Sequence, residues 1–176
     1  PAAIREALTR YSAALMGPPV VDLTEALRVL DAGDVAEPDG EDGIAATVAR
    51  VRELADATRL VIALGGDNAL TYPVARGARA TGLITIDAHF DLRDGISNGS
   101  PVRRLIEDAP EGERIDPTRI VQIGIADFAN SAAYAARAAD WGIRVITLDE
   151  VRRRGIAEVI AEATRIAGAG AGARIH

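Results

Sequence analysis

The chain contains no cysteine and no lysine. The first absence excludes disulfides and thiolate metal sites and fits a reducing compartment. The second leaves all 20 basic side chains as Arg, which we attribute to genomic base composition rather than function. Aromatic residues make up only 3% of the 176 positions, so a core must be built from Ala, Val, Leu and Ile. No apolar run approaches the ~18–20 residues of a membrane span, and no basic-then-apolar leader opens the chain. These absences predict a cytoplasmic protein without a membrane partner. A net charge of −6 argues against a nucleic-acid partner, whose phosphates are held by Lys and Arg. With 48% hydrophobic residues, the length suits one domain with a real core. The chain opens on Pro1 without Met and closes on a strand-like Arg174-Ile175-His176, so a single domain truncated at both ends is expected over 1–176.

Strand and helix signals alternate along the sequence. Pro1 to Met16 has the apolar spacing of an amphipathic helix, with Ile4, Ala7, Leu8, Tyr11 and Leu15 on one face. Gly17-Pro18-Pro19 stops it. Val20 to Leu23 and Leu27 to Leu30 are short strand candidates, and Gly33 to Gly43 reads as an acidic loop. Helices are predicted over Ile44 to Ala57, Asn68 to Ala80, Val102 to Asp108, Asn130 (as N-cap) to Trp141 and Ile156 to Ala167. Strands are predicted at Leu60 to Leu64, Leu83 to Ile86, Ile120 to Ile125 and Ile143 to Leu148. The alternation predicts an α/β fold with three α/β/α layers and a mostly parallel sheet.

The chemistry concentrates after the strand Leu83 to Ile86, in Asp87-Ala88-His89-Phe90-Asp91-Leu92-Arg93-Asp94. Asp87, His89 and Asp91 stand at alternate positions, which in extended chain point to one side. Open α/β sheets carry their chemistry at such strand ends. Oxygen and nitrogen donors without sulfur suit a hard or borderline divalent metal. The Gly65-Gly66 turn lacks the Lys-Ser/Thr of a P-loop, and Asp67 would repel a phosphate. Asp67 reads either as a helix N-cap or as support for the Asp/His cluster. Ser97-Asn98-Gly99-Ser100-Pro101 reads as a loop, or, so close to the cluster, as a substrate loop. Arg93 has two readings: a fork for a substrate carboxylate, or an anchor for Asp94 or Asp87. Asp149, Glu150 and Arg152-Arg153-Arg154 read as a solvated helix face.

Three segments in order, Gly65-Gly66-Asp67-Asn68, Asp87-Ala88-His89-Phe90-Asp91 and the loop Ser97 to Ser100, resemble the ureohydrolase (arginase and agmatinase) superfamily of binuclear manganese hydrolases. Phe90, Arg93, the Asn98-Gly99-Ser100-Pro101 loop without His, and Ile123-Gly124-Ile125 with Asn130-Ser131 make it most similar to the formimidoylglutamase family. That resemblance implies an arginase-like fold, here apparently incomplete. It also implies two Mn2+ per whole protein, a small amidine or guanidine substrate, and a homo-oligomer. The implied reaction is hydrolysis of N-formimidoyl-L-glutamate to glutamate and formamide by metal-activated water, within histidine degradation. By position, Asp87 would bridge both metals, His89 would bind one, and Asp91 would bind metal and hold the hydroxide as the catalytic group. Arg93, Ser97, Asn98 and Ser100 would meet substrate. The chain departs from the family pattern twice. Asn68 stands where a His ligand is usual and would hold the first metal weakly or not at all, and the later Asp-x-Asp motif is not in the sequence. An agmatinase-like ureohydrolase and a non-catalytic homologue are the alternatives. A deacetylase of related fold is a third, disfavoured by the lack of a His-His pair.

Overall fold

The computed structural model describes residues 2–176 and divides them into two compact units, one ending at Glu37 and one running from Pro38 to His176. The first unit holds α1 (Ala2–Leu8), β1 (Ala14–Leu15), β2 (Val21–Asp22) and α2 (Leu23–Ala26). The helix predicted to Met16 stops at Leu8, and Leu15 instead pairs antiparallel with Val21. Pro1 lies outside the described residues. Asp22 caps α2 by accepting from Thr24 N–H at 2.8 Å. Leu27 to Leu30 forms no strand. Arg5 ties this unit together by pairing with Asp31 and Asp34.

The second unit begins with α3 (Gly40–Ala57), which starts inside the predicted loop. Glu41 and Asp42 lie in its first turn, where the helix dipole favours negative charge. Gly43, Thr47 and Val51 recur every four residues on its buried face. A short 3-10 turn, Asn68–Leu70, precedes α4 (Thr71–Gly77). Pro73 lacks an N–H and is tolerated only in a first turn, so the α-helix starts at Thr71 rather than Asn68. Then come β3 (Leu83–Ile86), α5 (Pro101–Glu107), β4 (Ile120–Ile125), α6 (Ala132–Trp141), β5 (Arg144–Thr147), α7 (Leu148–Arg154) and α8 (Ile156–Ala167).

β3, β4 and β5 form a parallel sheet in that order. Its two faces carry separate cores, as a doubly covered sheet requires. Leu83, Ile120 and Ile125 pack with Leu92, Val102, Leu105 and Ile143 on one face. Val121, Ile123 and Ile146 pack with Val159 and Ala163 of α8 on the other. Each such Leu or Ile contributes about 1.5–3 kcal/mol of burial. The core is aliphatic as predicted, with Tyr72 and Phe90 as its buried aromatics. Gly82 lies so near the end of α8 that a Cβ there would overlap the Ala167 carbonyl. Residues 174–176 run parallel beside β3: Ile84 N–H donates to the His176 carbonyl at 2.8 Å, and His176 N–H to that of Gly82 at 3.1 Å.

The predicted strand Leu60 to Leu64 is not one. A strand exists only when its backbone groups find a neighbour, and this stretch pairs with none among the described residues. Leu60 and Ile62 are 74% and 75% exposed. The solvated face predicted around α7 is partly buried. Arg154 bridges Glu150, Glu158 and Glu162, and Arg144 bridges Glu150 and Glu162. Asp149, Arg152 and Arg153 remain exposed. Among the described residues no helix is long and apolar enough to cross a membrane.

β4 slips register between Ile123 and Ile125, with Gly124 at φ +93°. Bulges recur beside functional sites, and this one faces the chain leaving β3, since a Cβ on Gly124 would lie 3.4 Å from the Asp87 carbonyl oxygen. Gly124→Ala is expected to cost about 1–3 kcal/mol through strain at positive φ. That should lower the melting temperature by roughly 3–10 °C, and an unchanged melt would show the bulge tolerates a side chain.

Candidate functional site

The chain leaves β3 at Ile86, and Asp87 N–H still donates to the Ile123 carbonyl at 3.0 Å. There the extended backbone ends. The Asp87 carboxylate accepts from His89 N–H at 2.8 Å and lies 3.1 Å from His89 Nδ1, so the alternation predicted to aim the three side chains together gives way to a tight bend. Asp91 is buried and adopts a left-handed φ of +52°, a conformation that Asp tolerates better than most residues. The three groups nevertheless border a common space. Asp87, His89 and Asp91 line one cavity of about 570 Å3 with Asn68, Arg93, Asn98, Asn130 and Tyr134.

Asn68 joins them from the turn before α4. Its Nδ2 donates to the Asp91 carboxylate, and its Oδ1 accepts from Thr71 Oγ1 at 2.8 Å. Asp67 lines a neighbouring cavity with Asn68 and Asp87. It caps the 3-10 turn by accepting from Ala69 N–H at 2.9 Å. The Asp91 carboxyl is pushed up to about 6, first by burial and then by the neighbouring charge of Asp87, with the Asn68 hydrogen bond opposing both.

Two carboxylates, an imidazole and an amide on one wall are the donor set of a hard divalent cation. The repulsion that raises Asp91 is what such a cation relieves. The side chains are turned toward one another, Asp87 to His89 and Asp91 to Asn68. Among the described residues no three His, Asp or Glu groups already form a cage.

Arg93 holds neither of its predicted acidic partners. Asp94 pairs with Arg137 at 2.8 Å, and the Arg93 guanidinium makes no ion pair among the described residues. Its backbone is fixed: Arg93 N–H donates to the Gly99 carbonyl at 3.0 Å, and its carbonyl accepts from Arg103 Nε at 2.8 Å. Of the loop residues, Asn98 and Gly99 line the cavity. Ser100 is buried, and its Oγ donates to the Ser97 carbonyl and accepts from Ser97 N–H, both at 2.8 Å. Ser97 Oγ accepts from Gly99 N–H at 3.2 Å. Both hydroxyls hold the loop rather than face the cavity.

Two side chains that hold the site, Asn130 and Gln122, are not among its predicted residues. Asn130 does not cap α6. Ser131 does, accepting from Tyr134 N–H at 3.3 Å. Gln122 is fully buried in β4 and donates to the Phe90 carbonyl at 2.8 Å. A polar residue inside the apolar run Ile120 to Ile125 is the one signal that pointed to it.

A family model described as the arginase family matches residues 1–176. The chain is 36% identical over 107 residues to the formimidoylglutamase of Bacillus subtilis, covering 56% of this chain and 32% of that protein. It is also 36% identical over 155 residues to the guanidinopropionase of Pseudomonas aeruginosa, covering 82% of this chain and 48% of that one. The solved formimidoylglutamase of Bacillus subtilis matches with a TM-score of 0.66 at 28% identity, over 77% of this chain and 44% of that one. An oxidized Trypanosoma cruzi formiminoglutamase crystallised with Mn2+ at pH 8.5 matches with a TM-score of 0.81 at 25% identity, over 96% of this chain and 57% of that one. The chain thus spans about a third to a half of the length of these curated relatives.

Proposed function

This chain belongs to the arginase family, and on that premise we propose that the whole protein is a manganese-dependent hydrolase of a carbon–nitrogen bond in a linear amidine, with N-formimidoyl-L-glutamate as substrate. The observation that carries this reading is the gathering of Asp87, His89, Asp91 and Asn68 on one cavity wall at the end of a parallel strand.

Asp87, His89 and Asp91 would hold manganese, with Asn68 a weak further donor. When bound, the metal supplies a water acidic enough to attack at neutral pH. The remaining work falls to the chain itself. Asp91, its carboxylate held by Asn68, would be the group that takes up the proton released in the reaction. Arg93, with an anchored backbone and no acidic partner in contact, is placed to take the substrate's carboxylate in its fork. Asn98 offers a further amide at the same cavity.

The test is incubation of the manganese-loaded whole protein with N-formimidoyl-L-glutamate. Release of formamide with glutamate is expected, and no turnover with this substrate would overturn the assignment. The match to guanidinopropionase, which covers more of the chain than that to the Bacillus subtilis formimidoylglutamase, favours a second reading, hydrolysis of a guanidino acid. Urea release from such a substrate would select it. A homologue without activity would show neither product and less than one manganese per chain.

An amide oxygen is a poorer ligand than an imidazole for this metal. Asn68→His is therefore expected to tighten manganese binding on the order of 10-fold, measured by the paramagnetic signal of free Mn2+ during titration. Unchanged or weaker binding would remove position 68 from the ligand set.

A further inference from the structure

The His89 side chain is 56% exposed, and among the described residues Asp87 is its one side-chain hydrogen-bonding partner. Its direction is set by that contact and by the backbone that carries it, and the backbone is held by another residue. Asn130 Oδ1 accepts from Phe90 N–H at 3.0 Å, and Asn130 Nδ2 donates to the Ala88 carbonyl at 2.8 Å. One planar amide thus engages the residues on both sides of His89, an acceptor toward one and a donor toward the other. Gln122 Nε2 closes the bend by donating to the Phe90 carbonyl at 2.8 Å. Asn130 is not needed by its own helix, which Ser131 caps.

We propose that Asn130 is a positioning residue that fixes the peptide bend presenting His89 to the cavity, by bridging Phe90 N–H and the Ala88 carbonyl. The proposal rests on the reading of His89 as a manganese ligand. A partner that orients a ligand typically governs metal affinity by 10–100-fold, and Asn130 does so through the backbone rather than through the ring.

Two substitutions in the whole protein test this. Asn130→Ala removes these two hydrogen bonds and a longer one to the Ala126 carbonyl at 3.5 Å, whereas Asn130→Asp keeps the acceptor for Phe90 but sets a carboxylate oxygen against the Ala88 carbonyl. Manganese affinity is read from the signal of free Mn2+, and backbone order from amide hydrogen exchange in the metal-free protein. For Asn130→Ala we expect about 10–100-fold weaker manganese binding. Exchange should be at least about 10-fold faster at Phe90, while the amides of β4 and α6 keep their rates. For Asn130→Asp we expect Phe90 to stay protected and manganese to bind more weakly than in the parent. Parent-like affinity in Asn130→Ala overturns the proposal, as does faster exchange spread across β4 and α6, which marks a general packing role. Should Asn130→Ala fail to fold, Asn130→Asp decides: parent-like affinity overturns the proposal and weakened affinity upholds it. If the parent takes up no manganese, the functional reading fails by itself. Phe90 exchange in the metal-free variants then decides on Asn130 alone, with a rise confined to residues 88–90 upholding it and no rise overturning it.

Discussion

Asp91→Asn is expected to lower hydrolysis by the whole protein on the order of 10³-fold, the scale of losing a positioned proton-handling group. The substitution keeps the shape, since Asn is isosteric with Asp and equally at home at the φ of +52° found there, but it also takes a carboxylate from the proposed manganese ligands. The same change should make the metal-free protein more stable near neutral pH. The Asp91 carboxyl has a folded value of about 6 against 3.8 for the free side chain. The folded state therefore binds this proton more tightly than the unfolded state. The resulting stability is fully present below pH 3.8, and it is lost as the pH rises through about 6. Above that, the buried charge beside Asp87 weighs against folding, and a neutral Asn removes it. Melting of metal-free parent and variant across pH 4 to 8 should show curves that coincide at the acid end and separate in the variant's favour at the other. Retained turnover would dismiss Asp91 from the chemistry. A variant less stable at pH 8 would dismiss the electrostatic account of the site.

Arg93→Ala should raise KM for N-formimidoyl-L-glutamate about 10- to 100-fold, the worth of a charge-assisted, two-pronged hydrogen bond to a carboxylate, with kcat little changed. The fold should survive, because the Arg93 side chain is exposed and its backbone contacts to Gly99 and Arg103 remain. The loss should also depend on the substrate: an amidine without a carboxylate should be hydrolysed equally by parent and variant. Arg93→Lys should restore little, since an ammonium presents a point charge rather than a fork. An unchanged KM would show that another group reads the carboxylate, or that the substrate has none.

These two expectations draw on different kinds of information. The strand Leu83–Ile86 was legible in the sequence, because composition acts locally. The run Leu83 to Ile86, three apolar residues and a β-branched Thr, becomes a strand between two cores, and polar residues clustered behind it have few other uses. β4 was legible for the same reason, as were α3 and α8, whose buried positions recur at helical spacing. The run Leu60 to Leu64 shows where this logic stops. Its residues suit a strand, but pairing is a property of the neighbour, and none stands beside it among the described residues.

The sequence alone settled which residues could do chemistry here: oxygen and nitrogen donors, no thiol, an unusual density of polar groups behind one strand. Tertiary structure alone decided which of them turn toward the cavity. Ser97 and Ser100 spend their hydroxyls on their own loop, Asp94 goes to Arg137, and Asn130 leaves its helix to hold the bend under His89. A hydrogen-bonding side chain takes whichever partner the packed chain brings within reach. For Asn130 and Gln122 that partner lies 40 and 32 residues away, beyond anything local spacing encodes.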